Sequence, residues 1–522
     1  MLAKIALTIM VTASLCSSVF AQTYSNTPAY SQSNSVTPVS YRSQDDDKDE
    51  DPTAALMEQI KRMELRLREL EDDVENKLDE PAASSKSGSS DDEKADKEIT
   101  ERLAKLEKGF ESQDKSIGKL EELPSQILYH SHKSPKMQFF GRIHLDYWSF
   151  PKVDESLFPL EDGNPQDRFN FRRLRIGIKG DLNDNMFYKY EGEFAGGNNP
   201  SYRDAFIGFK NVPYLHTVII GNHKRPYGLD HLNSSRHNVF IERPFVVEAF
   251  NQDSRRLGIS SNILSEDQSW NIRYGVWNQQ LTQNTDGFVG DHYQLEFAGR
   301  IAKTAWYDES SGGRGWAHFA ISGSAGVPDG RGGPNNQAEY RTRPEARSDN
   351  RWLDTGEISG ANANFLVGLE AAFNIGQFNF TGEYLRTNVD RRDDVGEDVA
   401  FDGYYAQVSY FLTGEHRTWE RKTGTLGRIK PIENFFMVRD CDCNSQKGWG
   451  AWEIAGRYSH LDLQDFDIQG GEGESFTFGI NWYWNPYARM QFNYIIGDNE
   501  DLPGVLGFGQ YEIFGVRMMV DF

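Results

Sequence analysis

Apolar and polar residues alternate with a period of two along most of the chain after Met137. At the C-terminus one parity is apolar and the other polar: Phe514, Val516, Met518, Val520 and Phe522 against Gly515, Arg517 and Asp521. Side chains of a strand point alternately to its two faces. Charged residues on one face and an aromatic last residue are typical of the closing strand of an outer-membrane β-barrel with a wet lumen. For this segment alone, the edge strand of a soluble sandwich is the alternative.

The same alternation recurs upstream and indicates many strands. Asn485-Pro486 separates two alternating runs, 475–484 and 488–496, which predict a hairpin with an apolar outer face. Residues 137–522 number 386, and sixteen strands with their turns take roughly 24 residues each. We therefore predict an all-β fold, a transmembrane antiparallel β-barrel of sixteen strands, with fourteen or eighteen as alternatives.

A different period precedes the barrel. Between residues 52 and 124, apolar residues recur at heptad spacing in two runs that a Ser/Gly-rich stretch separates: Leu56, Ile60, Met63, Leu67, Leu70, Val74 and Leu78, then Ile99, Leu103, Leu106, Phe110, Ile117 and Leu120. This spacing predicts a short, self-associating α-helical coiled coil, which we place in the periplasm. A helix folded against its own domain is the alternative.

The N-terminus predicts export. Lys4, the apolar run Ile5–Val19 and the segment Val19-Phe20-Ala21 indicate a cleaved signal peptide over 1–21. Cys16 suggests a lipoprotein instead, but Leu15 is a poor residue before a lipidated cysteine. Residues 22–51 are polar and predicted to be disordered. No later stretch holds eighteen apolar residues, so a membrane role requires a barrel.

Composition fits this class without proving it. The mean hydropathy of −0.65 resembles that of a soluble protein, yet a water-filled barrel needs only half of its strand residues apolar. The mature chain keeps two cysteines, Cys441 and Cys443, which exclude a disulfide framework. We interpret the pair as part of an exposed loop, with a strained disulfide or a metal ligand pair as alternatives.

Several blocks of sequence resemble a known family, the phosphate-selective porins O and P of Gram-negative outer membranes. They are Phe171–Gly180 (FRRLRIGIKG), Gly221–Pro226 (GNHKRP), Tyr410–Arg417 (YFLTGEHR), Gly448–Leu463 and Asn481–Pro486 (NWYWNP). The resemblance implies a trimeric sixteen-stranded barrel whose narrow pore passes anions, in some members phosphate or polyphosphate. It also implies that an arginine ladder leads to the constriction.

Strand parity places basic residues in the lumen. In 171–180 the residues Leu174, Ile176 and Ile178 take the lipid parity, and burying cations in lipid costs roughly 2 to 4 kcal/mol each. The predicted pore-lining residues are Arg172, Arg173, Arg175, Lys179, Arg457, Arg489 and Arg517. Arg172 has the lipid parity, so we expect it to lie at the strand start or to bend inward.

A long connection between strands near Gly221 and Arg256 is predicted to fold into the barrel and narrow it. Its candidate constriction residues are Lys224, Arg225, Arg236 and Arg243. The phosphate specialists of the family cluster lysines there, whereas this loop holds arginines and histidines. An external loop is the alternative.

Charge leaves rival functions open. Of the net −22, residues 22–136 carry −9 and the barrel −14, so net charge gives anion selectivity no support. Lumenal arginines that pair with carboxylates predict a general, weakly selective porin. A structural barrel that tethers the outer membrane to the cell wall through the N-terminal region is a further alternative.

Other chemistry is not indicated. The chain lacks the nucleophile-elbow, zinc-protease and phosphate-loop motifs, so we predict no enzyme and no cofactor, although some barrels are lipases or proteases. The acidic runs 390–398 and 462–467 lack calcium-loop spacing and are interpreted as solvated turns rather than metal sites.

Predicted partners are small anions, outer-membrane lipid, two further copies in a homotrimer, the barrel-assembly machinery through the C-terminal strand, and the cell wall, but no nucleic acid.

Overall fold

The structure is a computed structural model that describes residues 135–522, apart from residue 162 and the segments 197–199, 252–254, 281–292, 329–335, 440–444 and 501–507. The predicted signal peptide, polar segment and coiled coil lie outside the described residues, as do Cys441 and Cys443. None of the helices in the described part of the chain is long and apolar enough to cross a membrane.

Sixteen antiparallel strands form a closed barrel, in which each strand pairs with the next along the chain and β16 pairs with β1. They are β1 (Gln138–Val153), β2 (Arg168–Asp181), β3 (Met186–Glu193), β4 (Ser201–Val212), β5 (His216–Lys224), β6 (Arg255–Leu264), β7 (Trp270–Asn278), β8 (Leu295–Tyr307), β9 (Gly315–Gly326), β10 (Ala361–Ile375), β11 (Phe378–Arg391), β12 (Val399–Phe411), β13 (Ala451–Asp465), β14 (Ile468–Asn485), β15 (Ala488–Glu500) and β16 (Gly509–Asp521). The predicted fold class and strand number are confirmed.

The period-two pattern fixes which face of each strand points outward. On β14, Phe476 and Phe478 are more than half exposed, while Ser475 and Thr477 are buried. On β16, Met518 and Val520 point outward and Arg517 is buried. An apolar outer face and a polar inner face are what a barrel in lipid requires.

The connections differ between the two ends of the barrel. At the end that holds Gln138 and Phe522, most turns are short, such as 182–185 and 486–487. At the other end the loops are longer. We name three long connections: loop A (225–254) and loop B (327–360) at the long-loop end, and loop C (412–450) at the short-turn end. Loop C is thus a long connection at the end where the other turns are short.

Parts of loops A and B fill the lumen. Loop A contains helices α1 (Leu229–Leu232) and α2 (Phe245–Phe250). The α2 side chains join a buried apolar cluster with Tyr340, Trp352 and Phe401. Short strand pairs stiffen loop B (Gln337–Ala338 with Ile358–Ser359, Arg341–Thr342 with Leu353–Asp354) and loop C (Trp419–Glu420 with Thr425–Leu426, Phe436–Arg439 with Ser445–Gly448). A 3₁₀ helix, Glu155–Glu161, follows β1.

Candidate functional site: a basic cavity in the lumen

A cavity of about 600 Å³ lies between the inner faces of β1–β7 and loops A and B. Fourteen lysines and arginines line it, against three acidic residues. The cations are Arg142, Arg172, Arg173, Arg175, Lys189, Arg203, Lys224, Arg236, Arg243, Arg255, Arg273, Arg343, Arg347 and Arg351, and the acids are Asp204, Glu242 and Glu248. The barrel as a whole is acidic, so this basic lining is a local arrangement of its inner wall.

A β-bulge aims two consecutive arginines into this cavity. Along the β1–β2 pairing, His144 is opposite Arg173 and Leu145 is opposite Phe171, so Arg172 is the extra residue. A bulge inserts one residue and re-aims a side chain. Phe171 therefore stays on the lipid face with 52% exposure, while both arginines reach the cavity. This is the inward bend that the parity of Arg172 required.

Glu242 of loop A attaches the loop to the part of the barrel wall where β16, β1 and β2 are neighbours. Its carboxylate accepts two hydrogen bonds from Arg172, at 2.7 and 3.0 Å, and one from Arg517 at 2.7 Å. Burial alone would raise the pKa of Glu242, but the guanidinium groups of Arg172, Arg517 and Arg173 hold it well below its ordinary value. The carboxylate is therefore ionised and holds loop A in place.

Arg173 is charged without a carboxylate partner. Its Nη1 lies 3.3 Å from Nδ1 of His144, and among the described residues it forms no ion pair. Its neighbour on the same face differs, because Arg175 donates to Glu193 at 2.6 Å and lies 3.5 Å from Glu191. The charge of Arg173 is therefore not balanced by a carboxylate in the part of the chain that the structure describes.

Two of the predicted constriction residues, Lys224 at the end of β5 and Arg243 of loop A, make contacts with α1 or the residues beside it. Nζ of Lys224 donates to the carbonyls of His231, Leu232 and Asn233, at 2.6 to 2.9 Å. Arg243 pairs with Asp230 at 2.9 Å. These contacts close the α1 turn.

The two remaining predicted constriction residues lie farther apart. Arg236 lines the cavity and pairs with Asp521 at 3.2 Å. Arg225 pairs with Glu296 at 2.7 Å and lines a second cavity of about 280 Å³ instead.

Three predicted pore arginines hold loop A by its backbone. Arg489 donates to the carbonyl of Asn238 at 2.9 Å, Arg517 to that of Ile241 at 2.5 Å, and Arg457 to that of Glu242 at 3.1 Å. They point into the barrel, as the parity predicts, but they do not line the basic cavity. Lys179 does not line it either: it is exposed near the short-turn end, with Nζ 5.8 Å from the ring centre of Phe140.

Loop B supplies cations that the sequence interpretation missed. Arg343 and Arg351 share Glu248 of loop A, at 3.3 and 3.0 Å. Arg347 lines the same cavity, and within the described residues no hydrogen bond or ion pair engages it. The arginine-rich run 341–351 was the available signal, but nothing in it shows that the loop turns inward.

Loop C narrows the lumen from the opposite end and was also missed. Its hairpin reaches loop A, where the backbone N–H of Leu426 donates to Asn233 Oδ1 at 2.9 Å. The stacked rings of Trp419 and Trp316, 4.6 Å apart, fix it to the wall. Arg417 forms a fully buried ion pair with Glu453. The family-like block 410–417 therefore begins an inward loop.

The loop A histidines add no charge at neutral pH. Burial lowers the pKa of His231 well below its usual value. Burial also lowers the pKa of His237 to about 3. The histidines of loop A therefore add no positive charge to the arginines and lysines that line the cavity.

The chain was compared with known proteins. The family described as phosphate-selective porin O and P matches residues 138–522. Porin O of Pseudomonas aeruginosa is 23% identical over 426 residues, covering 73% of this chain and 87% of that protein. An uncharacterised protein of Caulobacter vibrioides is 28% identical over 365 residues, covering 67% and 68%.

Solved porin structures are also similar. An anion-selective porin from Comamonas acidovorans has a TM-score of 0.45 at 13% identity, covering 74% of this chain and 100% of that one. The outer-membrane channel DcaP of Acinetobacter baumannii has a TM-score of 0.45 at 12% identity, covering 75% and 99%. Because the family match spans nearly the whole barrel, this chain belongs to the phosphate-selective porin O and P family, whose members are channels of the outer membrane.

Proposed function

We propose that this outer-membrane porin conducts small anions in preference to cations, and that solutes bearing phosphate are its favoured class. One observation carries the proposal. In the described residues, ten of the fourteen cavity cations form ion pairs, and they share only seven carboxylates. The other four, Arg173, Lys224, Arg273 and Arg347, pair with none.

This excess of positive charge favours anion passage for a simple reason. A single charge close to a passing ion is worth about 1 to 4 kcal/mol in a narrow, partly screened channel. Rings of arginine and lysine replace part of the hydration shell of an anion. Guanidinium forks match the oxygens of phosphate in geometry, which supports phosphate over chloride as the better bound ion.

A general, weakly selective porin is the second candidate, and the paired cations favour it. Arg142 and Arg175 both contact Glu191, and Lys189 pairs with Asp204. If such ion pairs cancelled the positive charge of the cavity, the pore would be nearly neutral. Permeation would then depend on the size of the solute alone.

Reversal potential across a planar bilayer in a KCl gradient separates the two. Arg173→Glu turns an attractive charge into a repulsive one, so we expect selectivity to move toward cations. Arg392→Glu is the matched control, because Arg392 lies in the exposed turn after β11 and pairs only with Asp394 there. Equal effects of the two reversals, or none, would favour the general porin.

Phosphate is tested in the same bilayers. Added phosphate should reduce chloride conductance of the wild type, and Arg347→Gln should weaken that inhibition because a free guanidinium is lost. Inhibition that survives both Arg173→Glu and Arg347→Gln would place phosphate binding outside this cavity.

The proposal also covers how the protein is exported and assembled in the outer membrane. We infer that residues 1–21 are cleaved on export, that the C-terminal strand with Phe522 is recognised by the barrel-assembly machinery, and that the barrel forms a homotrimer. The heptads in 52–124 support a periplasmic coiled coil of the same symmetry, which in contact with the cell wall would add a tethering role. The family and the barrel fold are those of a channel rather than an enzyme.

A further inference from the structure

The outer face of the barrel carries acidic residues where β12–β15 approach the long-loop end. Strand register sets them directly opposite one another in two rows. The first row is Asp402, Asp462, Glu472 and Glu500, and the second is Tyr404, His460, Glu474 and Asp498. We name these two rows the acidic belt. All of these side chains have the parity of the lipid-facing residues Phe476 and Ile496.

The acidic belt lacks the cations that would balance it. Carboxylates directly opposite on adjacent strands repel each other and destabilise the sheet. In the described part of the chain, Arg386 lies 3.6 Å from Asp402, and no lysine or arginine there pairs with Glu472, Glu474 or Asp498. The only basic partner inside the belt is His460, whose Nε2 lies 3.0 Å from Glu472.

Three side chains of different chemistry converge at the centre of the belt. One ligand atom each from His460, Glu472 and Glu474 lies within 4.8 Å of the others. A tetrahedral zinc ion with bonds near 2.1 Å sets its ligand atoms about 3.4 Å apart. Small rotations of the two glutamates therefore suffice to close a coordination sphere.

The histidine is already oriented for such a role. Its ring stacks on Tyr404, with centroids 5.2 Å apart and an interplanar angle of 9°. The stacking fixes the direction in which Nε2 points, toward the two glutamates. Nδ1 is buried and has no hydrogen-bond partner in the described residues.

We propose that His460, Glu472 and Glu474 bind a divalent cation of the zinc class on the outer face of the barrel. One imidazole nitrogen with two carboxylates favours a first-row metal over Ca²⁺, which prefers all-oxygen ligands. The ion would cancel repulsion across β12–β15. Because the site faces away from the lumen, it is distinct from the pore and does not rest on the proposed anion selectivity.

Isothermal titration of the full-length protein in detergent with ZnCl₂ tests the site. A Cys441→Ser/Cys443→Ser background removes the cysteine pair as a competing zinc ligand. We expect one zinc ion per chain, at least tenfold weaker binding in His460→Gln and in Glu474→Gln, and a rise in the unfolding temperature with zinc that both variants lose.

Matched controls keep the result interpretable. His216→Asn removes an exposed histidine at the start of β5, and Glu512→Gln removes an outward carboxylate of β16; neither should change zinc binding. Heat-modifiable migration of each variant shows that the barrel is folded. Unchanged affinity in His460→Gln, absence of stoichiometric binding, or displacement of zinc by equimolar Ca²⁺ would each overturn the proposal.

Discussion

Two neighbouring arginines in one strand have different roles. The bulge brings both Arg172 and Arg173 inward, yet Glu242 neutralises Arg172. Among the described residues, Arg173 has only His144 within hydrogen-bonding range. Arg172 therefore holds loop A, and we propose that Arg173 attracts anions. The sequence pattern could place both near the pore but could not assign these roles, since the partner carboxylate is 70 residues away.

Glu242→Gln tests the structural role of this pairing. The change leaves Arg172 and Arg517 without their shared carboxylate, and breaking a buried pair costs about 3 kcal/mol. We expect a lower unfolding temperature together with stronger anion preference, because two guanidinium groups become uncompensated.

Glu309→Gln is the control for Glu242→Gln. It breaks an exposed pair with Arg421, and exposed pairs contribute about 1 kcal/mol or less. Equal thermal shifts in the two variants would argue against Glu242 as the anchor of loop A.

The pH profile is a second residue-scale prediction. Histidines with lowered pKa values stay neutral until the pH falls through those values, and for His237 that value is about 3. Glu242, with its pKa also lowered, remains ionised over the same range. Titration of His237 and Glu242 should therefore contribute no change in the reversal potential in KCl between about pH 8 and pH 5.

The same measurement on His231→Gln serves as its control and should give the same flat profile. An anion preference that grows on acidification in the wild type and not in this variant would instead assign the selectivity to His231.

At the scale of elements, the strands were predictable, whereas the inward paths of loops B and C were not. In 475–496, apolar residues alternate with polar ones because successive side chains face lipid and then the water of the lumen. The polarity of each residue therefore predicts the face on which its side chain lies. Loop C carries no such signal. Its inward path depends on contacts with distant residues, such as Arg300 donating to the carbonyl of Gly424 at 3.1 Å.

The arginines show the same limit. Parity correctly turned Arg457 and Arg489 inward, but three-dimensional packing of loop A decided that they contact its carbonyls rather than the cavity. The position of a residue along a strand predicts the direction of its side chain. It does not predict which loop residue that side chain contacts, because the loop comes from a distant part of the chain.

The loop C hairpin offers an element-scale prediction. Replacing residues 419–426 with two glycines removes the segment that contacts Asn233 and His237 inside the lumen. Single-channel conductance should rise, because the lumen loses the inward loop at its short-turn end while β12 and β13 stay paired.

A matched deletion controls for shortening the chain. Replacing residues 393–397, in the exposed turn between β11 and β12, with two glycines should leave conductance unchanged. If the loop C replacement also leaves it unchanged, the narrowest point of the pore lies at loop A alone.

At the scale of the molecule, the inner and outer surfaces of the barrel carry patches of opposite charge. The barrel segment carries −14 overall, yet basic residues outnumber acids in the lining of the cavity and acids outnumber basic residues in the acidic belt. A whole-chain sum could not show this, because the sum discards position. Composition therefore could not locate the basic cavity, whereas strand parity turned Arg173 and Arg175 toward it.

The N-terminal region determines the last prediction. Its two heptad runs should self-associate without the barrel, because the seam residues have no other apolar surface within their own segment. A peptide of residues 52–124 should sediment as a trimer at tens of micromolar. Leu67→Ser/Leu70→Ser should shift it to monomer by placing hydroxyls in the seam, whereas Arg66→Ser/Arg68→Ser, outside the seam, should not. A wild-type peptide that sediments as a monomer would leave the barrel itself as the only source of trimer contacts.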